Sequence, residues 1–199
     1  MLEAADLTCE RGGRVLFQRL SLQVTKGDLL RIAGPNGSGK TSLLRILCGL
    51  LTPTAGEVRW QGHPIRSLRE EFSRRIFYLG HAPAVKDELT AGENLAVGCA
   101  LAGLAVSGKA IGSALDVLGV EDRPVRQLSQ GQRRRAALAR LVLSTSVPLW
   151  LLDEPFAALD AGAADLTKGL IREHVERGGA VAYTTHQDAG LQDSRVLEL

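Results

Sequence analysis

The chain has 199 residues, of which 45% are hydrophobic and 23% are charged. These values are typical of soluble globular proteins, so they exclude a disordered chain and a fibrous repeat, and the length suits one domain with a small inserted lobe. The formal net charge is +2 and the basic residues are spread along the chain, which does not favour a dedicated nucleic-acid surface.

The pattern of residues in the first half of the chain predicts a unit that binds nucleotide phosphates. Apolar runs and alternating patterns predict strands at residues 2–8, 20–24, 29–33, 57–65 (a pair around a Gln-Gly turn) and 75–79. A glycine-rich loop follows the strand at 29–33, and residues 41–51 then predict a helix with leucines on one face. Strand, glycine loop and helix in this order form the phosphate-binding unit.

The second half changes from strands to helices and back. From Thr90 to Ser144 the pattern is helical, and short buried strands return at 148–152 and 180–184. The most apolar stretch, 96–106, is about half of the roughly 20 residues that a membrane-spanning helix needs, so it predicts a packed helix.

Together these elements predict an α/β fold. A nucleotide-binding core is expected at about 1–80 and 145–199, with a helical subdomain inserted at about 81–144. The only short basic run, Arg133–Arg135, is interpreted as the solvated start of a helix.

One loop satisfies the P-loop pattern with these residues: Gly34, Pro35, Asn36, Gly37, Ser38, Gly39, Lys40 and Thr41. Glycines let successive backbone N–H groups curl around phosphate oxygens, and the N-terminus of the following helix adds its positive dipole end. In this pattern Lys40 reaches the β and γ phosphates, and Thr41 supplies a ligand to Mg²⁺.

Two acids follow the buried strand predicted at 148–152. Carboxylates stand at the end of a buried strand when that end faces a ligand, and a P-loop protein needs one acid for the metal and one group for the attacking water. We therefore assign Asp153 to Mg²⁺ and Glu154 to the water. The alternative is an acidic turn after a core strand.

Three further motifs resemble the signature motif, the D-loop and the switch histidine of ABC ATPases: Leu128–Gln132, Ala158–Asp160 and Thr184–His186. The resemblance implies a P-loop NTPase of the ABC type, with a mostly parallel core sheet, an inserted helical subdomain, and ATP and Mg²⁺ as cofactors. It also implies a dimer in which Ser129 and Gly131 of one copy close on the ATP held by Lys40 of a second copy. His186 then meets the γ-phosphate, whereas His63 and His174 are expected to be structural.

Two positions depart from the general ABC pattern. Where a Gln that contacts Mg²⁺ and water is usual, this sequence has His81, which either takes over that contact or only shapes the loop. Where an aromatic residue that stacks on adenine is usual, it has Arg11. Either the Arg11 guanidinium or the ring of Phe17 is expected to meet the base.

These two departures point to one particular family within the ABC ATPases. Several segments look like the ATP-binding proteins of cytochrome c biogenesis, the CcmA family of haem exporter ATPases: Tyr78–His81, Val85–Lys86, Glu88–Thr90, Glu93–Leu95, Gln132–Leu141 and Leu152–Asp160. The resemblance implies integral membrane partners of the cytochrome c maturation system, membrane contact only through them, no nucleic acid, and a place at the cytoplasmic face of the inner membrane. Whether haem itself is transported or a haem-loaded chaperone is released stays open.

Other functions remain as alternatives. The first is the ATPase of another transporter, for a lipid, a drug or a metal. The second is a soluble ABC ATPase acting on DNA or ribosomes, although the chain has neither the long coiled coil nor the tandem cassettes usual there. The third is a scaffold gated by nucleotide binding alone, against which the intact Glu154 and His186 argue. Three scattered cysteines without metal-ligand spacing favour a cytosolic setting.

Overall fold

The computed structural model of the chain describes residues 1–186, 190–191 and 194–199. Its strands are β1 Leu2–Arg11, β2 Arg14–Val24, β3 Leu29–Ala33, β4 Ala55–Trp60, β5 His63–Pro64, β6 Ile76–Leu79, β7 Leu149–Leu152, β8 Ala180–Thr184 and β9 Arg195–Glu198. Its helices are α1 Lys40–Leu47, α2 Ile65–Ser73, α3 Ala91–Leu101, α4 Gly108–Val117, α5 Gln130–Leu143 and α6 Ala161–Glu176, with a short 3-10 turn at Val125–Gln127.

Five strands form a parallel sheet in the order β6-β7-β8-β3-β9. β7 and β8 are buried along their whole length, as expected of central strands covered on both faces. Alternate residues of β7 enter different hydrophobic clusters, Leu149 and Leu151 on one face and Trp150 and Leu152 on the other. Because all strands run the same way, the ends of β3, β7 and β8 lie at one edge, where ligands bind in such sheets.

The other four strands form an antiparallel sheet in the order β2-β1-β4-β5. One hydrophobic cluster joins this sheet to α1 and to the parallel sheet, and it contains Leu2, Leu44 and Leu151. Where β1 passes the start of β4, Gly56 has a φ of +83°, and a Cβ there would lie 2.4 Å from the carbonyl oxygen of Ala5. Only glycine fits this close approach of two backbones.

Helices α3 to α6 cover the opposite face of the parallel sheet. Their apolar residues form a second cluster with the sheet, including Leu95, Leu115, Leu138, Trp150 and Ile171. α3 and α5 each begin with a capping box, in which Thr90 or Ser129 exchanges hydrogen bonds with the residue three positions on. Such a box satisfies two backbone donors that the start of a helix leaves free.

His174 of α6 belongs to this packing. Its ring stacks on Trp150 with the centroids 3.8 Å apart, and only 3% of the residue is exposed. Burial, with a smaller effect of the Arg177 charge, lowers the pKa of His174 to about 4. The side chain is therefore neutral at pH 7 and packs as an aromatic core residue, which agrees with the structural role expected of it.

The α/β class and the parallel core sheet are confirmed, but some predicted boundaries are wrong. The second strand begins at Arg14 instead of residue 20, because its first half also pairs with β1, with Arg14 opposite Arg11. This half contains three apolar residues in a row, residues 15–17, so it lacks the alternation of apolar and polar residues that predicts a strand. The helix after the P-loop ends at Leu47 and not at 51, shortly before Gly49, whose φ is +78°.

Three elements have no counterpart in the sequence prediction: α2, α6 and β9. Ile65, expected at the end of a strand pair, instead begins α2 and packs into the core. The edge strand β9 is mostly exposed, so its hydrophobic pattern is weak. The predicted helix at 96–106 ends at Leu101. Within the described ranges, no helix combines the length and the apolar character that crossing a membrane requires.

Candidate functional site

The P-loop connects β3 to α1 and lies against the start of the antiparallel sheet. Gly39, at the N-cap of α1, has a φ of +107°, and a Cβ there would lie 3.1 Å from both Leu16 and Phe17 of β2. Glycine therefore allows the loop to lie directly against β2. The first turn of α1 contains no acidic residue, so its positive dipole end is free to meet an anion.

Lys40 is buried, with only 6% of the residue exposed. Its Nζ donates hydrogen bonds to the carbonyl oxygens of Gly34, at 2.7 Å, and Pro35, at 3.0 Å. These contacts hold the ammonium across the loop. Phosphate oxygens carry full negative charge and would replace the carbonyls as stronger partners.

Asp153 follows β7 and is 1% exposed. Its Oδ1 accepts hydrogen bonds from Thr41 Oγ1, at 3.1 Å, and from Thr184 Oγ1, at 2.8 Å. Its Oδ2 is buried and has no hydrogen-bond partner among the described residues. A carboxylate with one free oxygen beside a threonine hydroxyl is a donor set that suits Mg²⁺, which takes one or two protein oxygens together with phosphate and water.

Glu154 holds an unusual backbone conformation, with a φ of +50°. Its N–H donates to Thr184 Oγ1 at 2.9 Å, and its carbonyl oxygen accepts from Arg134 Nη2 at 2.6 Å. The carboxylate Oε1 lies 3.2 Å from Nε2 of His186. The half-exposed His186 ring and the nearly buried Glu154 carboxylate thus face the same space.

This space is an open cavity of about 600 Å³. It is lined by Arg11, Leu16, Asn36, Gly37, Gly39, Lys40, Thr41, Ser42, His81, Asp153, Glu154 and His186. The fold therefore brings most of the predicted site residues to one place. Gly34, Pro35 and Ser38 belong to the same loop but do not line the cavity.

Ser129 and Gly131 lie elsewhere. Ser129 is the exposed N-cap of α5, and Gly131 packs beside the carbonyl oxygen of Ala158, 3.4 Å from the position of a Cβ. Neither residue lines the cavity of its own chain.

Residues 17–157 match the family model described as ABC transporter. The chain is 58% identical over 193 residues to the cytochrome c biogenesis ATP-binding export protein CcmA of Aromatoleum aromaticum, covering 95% of this chain and 90% of that protein. It is 48% identical over 201 residues to CcmA of Nitrosospira multiformis, covering 100% of this chain and 97% of that protein. The chain belongs to the ABC transporter family, in the CcmA group.

A solved structure agrees with this assignment. The dimeric structure of a bacterial ABC transporter cassette aligns with a TM-score of 0.87 and 25% identity, covering 100% of this chain and 94% of that one. As a member of the ABC family, the chain is an ATPase.

The two residues predicted to meet adenine lie in different environments. Phe17 is 9% exposed, and its ring lies next to Gly39 without lining the cavity. Arg11 is exposed and lines the cavity together with Leu16. Of the two candidates only Arg11 lines the cavity, and Leu16, a residue that the sequence did not single out, lines it as well.

The interpretation of Arg133–Arg135 as a solvated run is wrong for its central residue. Arg134 is 3% exposed and hydrogen-bonds to four backbone carbonyls, whereas Arg133 is partly exposed and forms an ion pair with Asp87. Three arginines in sequence point in three directions around a helix, so charge alone cannot tell which one is buried. The small residues that follow, Ala136, Ala137 and Ala139, were the available signal that this helix packs closely.

Proposed function

We propose that this chain is the ATP-hydrolysing subunit of an ABC complex of cytochrome c maturation, in which ATP hydrolysis drives haem supply or the release of a haem-loaded chaperone. The observation that carries the proposal is the 58% identity to a cytochrome c biogenesis export protein, which extends over 95% of this chain. The residues at the cavity supply the chemistry that such a subunit needs.

In this proposal each cavity residue has one task in phosphoryl transfer. Lys40 and the P-loop N–H groups hold the phosphates, and Thr41 and Asp153 would hold Mg²⁺, which neutralises charge on the phosphate oxygens when bound. Glu154 orients and deprotonates the attacking water, because its carboxylate faces the cavity next to His186. His186 donates to the γ-phosphate, which adds to the electrostatic stabilisation of the transition state.

A second copy of the chain would complete the site. Ser129 and Gly131 stand at the exposed start of α5 and do not line the cavity of their own chain. In a two-fold dimer with ATP between the copies, these residues close on the γ-phosphate held by Lys40 of the other copy. The match to a structure described as a dimeric ABC transporter cassette supports this arrangement. ATP then acts as the link between subunits, and hydrolysis removes it.

The proposal includes integral membrane partners of the same maturation system. No described helix could cross a membrane, so such partners would provide the passage and would hold this subunit at the cytoplasmic face of the inner membrane. His81 is exposed at the cavity rim and follows β6 closely. From there it could either contact the attacking water or shape the loop toward a partner, and both roles stay open as proposals.

We predict that the Arg11 side chain contributes to binding of the base. Arg11→Ala should raise the dissociation constant for ATP by about three- to tenfold, which corresponds to the roughly 0.5–1 kcal/mol of an exposed cation–π contact plus lost packing. Equilibrium titration with ATP and with inorganic triphosphate checks this. Triphosphate lacks the base, so its affinity should not change. An unaltered dissociation constant for ATP dismisses Arg11, and Arg14→Ala, also in this exposed hairpin, is the matched control.

The proposed function is tested in cells whose only copy of the protein carries Glu154→Gln. We expect haem staining for c-type cytochromes to disappear, while growth on a fermentable substrate stays normal. The control is Glu176→Gln, the same change at an exposed position on α6, which should keep the stain. If the purified Glu154→Gln protein has lost ATP hydrolysis, a normal cytochrome profile in this strain would reject the maturation role and point to a transporter for another substrate.

A further inference from the structure

The buried guanidinium of Arg134, on α5, contacts the backbone at the ends of two strands of the parallel sheet. Nη1 donates to the carbonyl oxygens of Gly80, at 3.1 Å, and His81, at 3.0 Å, just after β6. Nη2 donates to the carbonyl oxygens of Asp153, at 3.1 Å, and Glu154, at 2.6 Å, just after β7. One planar group therefore joins the two backbone segments that carry the residues facing the attacking water.

The contact with Glu154 matters most, because its backbone is in the left-handed region, with a φ of +50°. A residue with a Cβ adopts this conformation only when its surroundings hold it there. Here the hydroxyl of Thr184 accepts the N–H of Glu154, and Arg134 binds its carbonyl oxygen. The peptide groups on both sides of the Glu154 Cα are thereby fixed, and their orientation sets the direction of the carboxylate.

The charge of Arg134 also suits this position. Desolvation lowers the pKa of its guanidinium, and the charges of Asp153 and Glu154 act in the opposite direction. An arginine keeps its proton under these conditions, so a positive charge stays close to both carboxylates. The forked guanidinium donates in fixed directions within its plane, which a single ammonium cannot reproduce.

We propose that Arg134 is a positioning residue for ATP hydrolysis, which holds the backbone of Glu154 and of the Gly80–His81 segment so that the Glu154 carboxylate faces the attacking water. The inference rests on the proposed role of Glu154. It assigns Arg134 no contact with ATP, since Arg134 does not line the cavity. Removing it should therefore slow the chemical step and leave nucleotide binding intact.

The test compares Arg134→Gln and Arg134→Lys with the unaltered full chain. We expect kcat for ATP hydrolysis to fall about 10²-fold in Arg134→Gln, the scale of a small misplacement of a reacting group, with KM within about threefold. Arg134→Lys should recover part of kcat, because its ammonium reaches some of the carbonyls. Arg135→Gln is the matched control on the next residue of α5, half-buried beside Gly119, and should keep kcat.

A double-mutant cycle separates positioning from a general loss of structure. If Arg134 acts through Glu154, Arg134→Gln should have no further effect on turnover in a Glu154→Gln background, whereas additive losses would overturn the inference. Thermal unfolding shows whether Arg134→Gln is poorly folded. If it is, the double-mutant cycle is repeated with Arg134→Lys in place of Arg134→Gln. If Glu154→Gln hydrolyses ATP slowly but both Arg134 variants keep the kcat of the unaltered chain, the inference about Arg134 is overturned and the role of Glu154 stands. Normal turnover of Glu154→Gln overturns the role of Glu154 and the inference with it.

Discussion

Glu154→Gln should bind ATP with unchanged affinity and hydrolyse it at least about 10²-fold more slowly, as expected for loss of a general base. The substitution keeps the size of the side chain and removes only its charge and basicity. The backbone contacts of Glu154 with Thr184 and Arg134 do not involve the carboxylate, so the local fold should persist. Steady-state phosphate release gives kcat, and equilibrium binding of ATP gives the dissociation constant.

The measurement needs a control for a general effect of losing a glutamate. Glu176→Gln removes an exposed carboxylate of α6 and should leave both quantities unchanged. Near-normal turnover in Glu154→Gln would reject the assignment of the base. Slow turnover together with weak ATP binding would instead place Glu154 among the residues that hold the nucleotide or its metal.

Lys40→Ala should abolish measurable hydrolysis and weaken ATP binding by about 10- to 10²-fold. A hydrogen bond to a charged partner contributes about 1.5–3 kcal/mol, and each 1.4 kcal/mol changes an equilibrium constant tenfold. Turnover should fall further than binding, because the charge on the phosphate oxygens shifts during transfer and the lysine stabilises the transition state as well. Titration with ATP and a phosphate-release assay measure the two effects separately.

The substitution Lys40→Ala removes contacts within the P-loop as well as the charge. Its Nζ is held by the carbonyl oxygens of Gly34 and Pro35, so the substitution also frees two loop carbonyls and can relax the loop. Lys109→Ala, at an exposed position of α4, is the matched control and should leave binding and turnover unaltered. ATP affinity equal to that of the unaltered chain would show that Lys40 does not reach the phosphates.

Much of the candidate site is predictable because its residues come in continuous motifs. The P-loop from Gly34 to Thr41 works through consecutive backbone N–H groups, and Asp153 and Glu154 directly follow a buried strand. Parallel strands that end at one edge of a sheet then bring these motifs together. The α/β class follows from the same local patterns, and the resemblance to ABC ATPases implied the parallel sheet.

Other features of the site depend on residues that are distant in sequence. Thr184 meets Asp153 and Glu154 only because β8 lies beside β7, and Leu16 reaches the cavity only because β2 passes under Gly39. The burial of Phe17 is also a tertiary feature, since the sequence places Arg11 and Phe17 close together on the neighbouring strands β1 and β2.

By itself, the sequence determined the chemistry, because phosphate binding and acid placement are encoded in short segments whose residues act side by side. The tertiary structure alone decided which arginine of the run 133–135 is buried and which strands with weak patterns pair. Burial of Arg134 requires the ends of β6 and β7 to offer carbonyl oxygens at one spot. Edge strand β9 forms because the backbone of β3 supplies hydrogen bonds, which need no apolar side chains.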